Sequence, residues 1–226
     1  MKPQSYKRIV AYFIDIIIVT VISSLLTFNI YDSKSYQKQT NDYVQLINDY
    51  TNQKISKKEY KDKTYDVVYN MNRETIVITI VNVVMTTIYF VVLPYFMEGA
   101  TLGKKLMNLK IVSIKNDKIN MNQFLIRSLL INGIIMNILT ILLMLFTSKS
   151  IYLKFNDIIT YTFGTFYIIS FIMILYRKDG RGLHDLLGNT KVITIKSTLD
   201  VVMDKEKKEQ EDNKNILKDV EIIGKN

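Results

Sequence analysis

The chain has 226 residues, is 48% hydrophobic and carries a formal net charge of +9. It has no cysteine and a single histidine, which excludes a disulfide framework, a thiolate metal site and a histidine-built metal cluster. Its basic residues are not interleaved with aromatics as in a nucleic-acid module, so no nucleic acid is expected, and the charge suits a bilayer face with anionic headgroups.

The first element is the apolar run Ile9 to Ile30, which at roughly 1.5 Å per residue extends about 33 Å, enough to cross the hydrocarbon core of a bilayer. It follows Lys2, Lys7 and Arg8 as a signal peptide would. It is too long for one and lacks a small-x-small cleavage site, so it should be retained as an anchor. Asp15 lies inside it. An ionised Asp at that depth costs about 2.5 to 3.5 kcal/mol and should face protein, water or a partner charge. Arg8 and Asp15, seven residues apart, fall within roughly 20° of one helix face.

Between Tyr31 and Glu74 the chain is polar. Tyr36, Tyr43, Ile47 and Tyr50 recur at helical spacing, as do Tyr60, Thr64, Val67, Val68 and Met71, and Ser56 with Glu59 forms a capping-box pattern. Two antiparallel helices outside the membrane are predicted, the alternative being a mobile polar loop. A second apolar run, Thr75 to Met97, is the next span, with Pro94 kinking or ending it.

The connection from Glu98 to Gln123 contains Leu109 to Ile114, rich in β-branched residues, then Asn116 and Asp117. This reads as a strand and a turn. Lys191 to Ile195 reads as a second strand, and the two should pair, since neither is stable alone. Gly99 to Lys105 invites comparison with a phosphate loop, but the glycine spacing is one residue short and no Ser or Thr follows the Lys. The glycines instead suit a tight turn, and Lys104 and Lys105 a lipid surface.

Phe124 to Phe146 and Ile158 to Tyr176 complete the set of four spans. Arg127, in the first turn of the third, either snorkels to the interface or turns inward to meet Asp15 with its guanidinium fork. Asn82, Asn132, Asn137, Gly133 and Gly164 read as packing and interhelical hydrogen-bond positions. Residues 1–197 form the membrane domain, and 198–226 a charged cytoplasmic tail. Lys and Arg flank the amino end, the second connection and the end of the last span, so both termini should be cytoplasmic and the 31–74 insertion extracytoplasmic. Lys and Arg in the insertion itself run against that assignment.

Three blocks together resemble the RDD family of bacterial membrane proteins, named for one arginine and two aspartates: Tyr6 to Asp15, Glu98 to Val112, and Arg181 to Thr190. They occur in the family's order with helices between them. The resemblance implies that Arg8, Asp15 and Asp185 are the named residues and that Arg127 stands where members often have an arginine. It also implies a bacterial membrane domain, expected in the inner membrane, whose role is mostly unassigned, with transport proposed and cation/proton exchange reported for some members; it fixes no substrate.

The expected fold is thus an all-α membrane protein, four transmembrane helices with an extracytoplasmic helical hairpin and a small cytoplasmic β element. Arg8, Asp15, Arg127 and Asp185 should gather at the cytoplasmic end, either as a brace for buried charge or as an ion or proton relay. No catalytic residue, metal or cofactor is expected, because the two carboxylates lie at different depths and no nucleophile joins them. Four helices make a thin pathway, which points to a homo-oligomer or a membrane protein partner. The rival reading is a non-transporting scaffold or accessory subunit that binds a partner protein.

Overall fold

The computed structural model describes residues 5–31, 33–115 and 118–195. The expected tail over 198–226 and the turn at Asn116 and Asp117 lie outside the described residues. Contacts divide the chain into two compact units, and everything discussed below except the last residue of β2 lies in the first, Met1–Ile193.

Helix α1 spans Ser5–Tyr31. Its buried residues, Ala11, Asp15, Val19, Ser23 and Thr27, recur every fourth position and make a narrow stripe of small and polar side chains. Phe13, Ile17 and Leu25 on the other faces are exposed. A helix that hides its polar stripe and exposes its large apolar residues is built for lipid surroundings.

Helices α2, Lys34–Thr51, and α3, Lys57–Glu74, pack on each other as a hairpin. The predicted helices therefore form, and the loop alternative does not hold. Ser33 and Ser56 cap them, accepting from the backbone N–H of Tyr36 and Glu59. The Glu59 side chain forms an ion pair with Lys63, 2.9 Å away. Tyr50 and Tyr60 stack across the hairpin with ring centroids 4.5 Å apart.

Helix α4 runs Ile76–Phe96, with a π turn over Ile88–Val92. Pro94 follows that turn and lacks the N–H that would continue the ladder, and the helix ends two residues later. The short helix α5, Leu102–Leu106, leads into strand β1, Leu109–Ser113. Next comes α6, Met121–Ile131, opened by a reciprocal capping box between Asn120 and Gln123.

The third apolar run is not one helix. It breaks after α6, and α7, Ile134–Phe146, leaves at 66°. Gly133 makes the break: its φ of +70° is left-handed and costs a glycine little. Helix α8 spans Lys149–Tyr176 and begins well before the predicted Ile158. Helix α9, Leu183–Leu187, and strand β2, Thr190–Thr194, follow, and β2 pairs with β1 as expected. Helices α1, α4 and α8 are each long and apolar enough to cross a membrane, and the bent pair α6–α7 is a fourth if it counts as one span.

Candidate functional site: two buried carboxylates and the cavities beside them

Asp15 is fully buried and both its oxygens are taken. Tyr89 Oη and the Gly103 backbone N–H each donate to Oδ1 at 2.7 Å. Thr101 Oγ1, at 2.5 Å, and Lys104 Nζ, at 3.2 Å, donate to Oδ2. Three of these donors come from the turn and first residues of α5, which lies directly on α1. A Cβ on Gly103 would overlap the Ala11 carbonyl and stand 2.7 Å from Asp15 Oδ1, so only glycine permits the approach.

This corrects two expectations. Arg127 does not pair with Asp15, and Lys104 is not at a lipid surface: it is buried against the carboxylate, while Lys105 alone is exposed. The physical reason is that the α4–α5 turn folds back against the polar stripe of α1 and brings its own cation with it. Burial, only partly offset by Asp15, holds Lys104 below the ordinary lysine value, at about 8.

Asp185 takes the arginines. Arg8 Nη2 donates to its Oδ2 at 2.7 Å, and Arg127 Nη1 pairs with its Oδ1. Thr190 Oγ1 and the Gly182 N–H also donate to it, at 3.3 and 3.1 Å. Arg8 reaches the Gly180 carbonyl with its other terminal nitrogen. The loop presenting that carbonyl is held by Asp179, whose carboxyl is kept well below the usual range by hydrogen bonds from Arg177 and Arg181. The four residues predicted to gather thus form two sites, Asp15 with Lys104 and Asp185 with Arg8 and Arg127.

Ser170, His184 and Asp185 stand in a row, with Ser170 Oγ 2.7 Å from His184 Nδ1 and His184 Nε2 3.4 Å from Asp185 Oδ2. Ser170 is fully buried and accepts from the Leu183 N–H, so it anchors the loop and cannot be reached by a substrate. Burial, reinforced by Arg127, Arg8 and Lys104, lowers the His184 pKa well below its ordinary value, which favours the neutral ring. Among the described residues no group of three or more His, Cys, Asp or Glu could hold a metal ion.

The cations of both sites line a cavity of about 520 Å³, together with Thr101 and His184. The carboxylates do not line it; they sit behind their cations. The remaining wall is largely apolar, with Ile131, Met136, Phe171 and Ile174. A second cavity of about 210 Å³ is polar, lined by Asn72, Thr140, Tyr152, Asn156 and Thr160. Met136 and Asn137 stand in the walls of both. On α8 the lining runs from Tyr152 in the smaller cavity to Ile174 in the larger, roughly 33 Å along the axis.

Sequence reasoning missed Tyr89, Thr101, Lys104, His184 and Thr190. The demand that a buried Asp15 find a counter-cation was the available signal for Lys104, which stands beside a glycine in a turn between spans.

The family model described as RDD family matches residues 2–189. No curated protein and no solved structure matches the chain.

Proposed function

The chain belongs to the RDD family, and from that premise we propose that it is a multi-pass protein of the bacterial inner membrane that passes a small solute through its own helix bundle. The observation that carries this reading is the pair of cavities sharing Met136 and Asn137, whose lining residues together reach the length of a membrane-spanning helix. Position along α7 supports it: Gly133, Met136, Asn137, Thr140, Ile141 and Met144 line the cavities at three- and four-residue spacing, so one helix face tracks the path. In this reading Met136 and Asn137, which line both cavities, form its narrow layer. The path lies within one bundle and needs no second copy.

Both carboxylates are saturated with donors, so they hold the cations in place at the mouth of the larger cavity rather than shuttling protons themselves. Both termini and the β element lie on the cytoplasmic side in this reading, with the α2–α3 hairpin outside and Lys105 meeting anionic headgroups.

The test is flux in proteoliposomes of neutral lipid, with sodium, potassium, chloride and hexanoate offered in turn. Wild type should conduct at least one of them, and Met136→Trp, which fills the narrow layer without touching an ion pair, should stop it. Folded wild-type protein silent to all four would remove the transport reading.

A further inference from the structure

The charges facing the larger cavity do not balance. Arg8, Lys104 and Arg127 line it, and among the described residues the carboxylates paired with them are Asp15 and Asp185. His184, on the same wall, is pushed toward its neutral form by burial and these cations. Among the described residues the cluster therefore keeps one positive charge in excess in a cavity whose remaining wall is largely apolar, with Ser128, Asn132 and Asn137 among its polar members.

Arg127 makes this excess available to a ligand. Only 8% of the residue is exposed, and its Nη1 takes both Asp185 Oδ1 and Thr190 Oγ1. Among the described residues nothing accepts from its Nε or Nη2. A guanidinium carries five N–H donors, and Arg127 lines the cavity with more of them than its two protein acceptors use. An acceptor entering the cavity would meet them. A cation there would instead face three like charges with no free carboxylate oxygen to coordinate it, since each oxygen of Asp15 and Asp185 already has two donors.

We infer that the larger cavity is a binding site for a monovalent organic anion with an apolar body, its carboxylate or phosphodiester head on Arg127, Lys104 and Arg8 and its body against Phe171, Ile131 and Met136. One net positive charge matches one negative charge. The volume suits such a ligand, because small-molecule sites are commonly about 300–1,000 Å³ and mostly apolar with a few placed polar groups. The inference rests on reading this cavity as the solute's place on the path, and it reverses the sign that cation/proton exchange would require.

The experiment is titration calorimetry on the full chain in neutral detergent, with hexanoate and hexylammonium as probes of equal body and opposite charge, and sodium as a third. Hexanoate should bind saturably and hexylammonium at least about tenfold more weakly, the consequence of exchanging an attractive for a repulsive charged contact. Arg127→Gln should weaken hexanoate by about tenfold or more, and Met136→Trp should abolish its binding while leaving every ion pair intact. The second variant keeps the test decisive if the first fails to fold. Hexylammonium or sodium binding as tightly as hexanoate, or hexanoate binding unchanged by Met136→Trp, would overturn the inference.

Mass spectrometry of the purified protein separates two sources of the anion. Phosphatidylglycerol displaced by hexanoate makes the natural occupant a lipid headgroup, whereas hexanoate entering a lipid-free protein makes it a dissolved solute; either supports the anion site. Hexanoate binding with silent flux would remove the path and leave the site. Sodium flux blocked by Met136→Trp without hexanoate binding would remove the site and leave the path.

Discussion

Replacing Asp15 by Asn changes one oxygen to an amide nitrogen and nothing in volume. Two of the four donors aimed at that carboxylate, the Tyr89 and Thr101 hydroxyls, can rotate and accept instead. The other two cannot. If the amide nitrogen takes the Oδ1 place it meets the Gly103 N–H, and if it takes the Oδ2 place it meets the Lys104 ammonium. Either way a donor faces a donor, and Lys104 is left as a buried cation without its anion. Removing one partner of a buried ion pair costs about 3–5 kcal/mol. For a chain of this size each kcal/mol is worth about 2–4 °C, so the midpoint should fall by roughly 6–20 °C. The assay is thermal unfolding in detergent followed by circular dichroism, with Asp15→Asn, Lys104→Met and the double variant side by side. The double variant should recover part of the loss, because the orphaned cation is gone. An Asp15→Asn protein within a degree of wild type, or additive effects in the cycle, would refute the pairing.

Gly103→Ala should destabilise the protein by at least about as much as a typical overpacked core position, 1–3 kcal/mol, because its Cβ meets backbone and a fixed carboxylate rather than a flexible side chain; a melting curve matching wild type would contradict the close approach of α5 to α1. Hexanoate affinity should fall as pH rises through about 8, where Lys104, faced by Asp15 and Arg8 of α1, Tyr89 and Phe90 of α4, Arg127 of α6 and His184 of α9, gives up its proton and the excess positive charge with it. Lys104→Arg should flatten that profile, and a slope surviving the substitution would assign it to another group. Arg8→Lys should lower the melting midpoint, since an ammonium cannot hold both the Gly180 carbonyl and Asp185 in the fork geometry that a guanidinium allows; an unchanged midpoint would make that loop contact dispensable.

The spans were legible because a bilayer imposes a length on apolar runs that nothing else does, and α1 and α4 match the predicted runs within a few residues. The strand pair was legible from β-branched runs. What escaped is instructive in each case. Gly133 in an apolar run looks like a packing residue, and only its left-handed backbone distinguishes it as a break. The start of α8 was hidden because Lys149 and Lys154 end the apolar pattern without ending the helix; Lys149 pairs with Asp66, and Tyr152 is buried and accepts from Asn72 Nδ2 at 3.0 Å. The charge cluster was half legible. Helical phase placed Arg8 and Asp15 on one face, but which cation a carboxylate takes depends on where a connecting turn folds, and no periodicity records that. Lys104 and Lys105 are neighbours with opposite fates for this reason.

The path itself is tested most directly by single cysteines along α7, in a chain that has none of its own. A charged, water-soluble thiosulfonate reacts with thiolate, which forms where water reaches the sulfur and not in hydrocarbon. Cysteine at Met136, Asn137 or Thr140 should react and modification should stop flux, whereas cysteine at Ile138, Leu139 or Leu142, all exposed on the outer faces of the bundle, should stay unmodified in membranes. Reaction on the outer face, or none at the three lining positions, would contradict a water-filled route through the bundle.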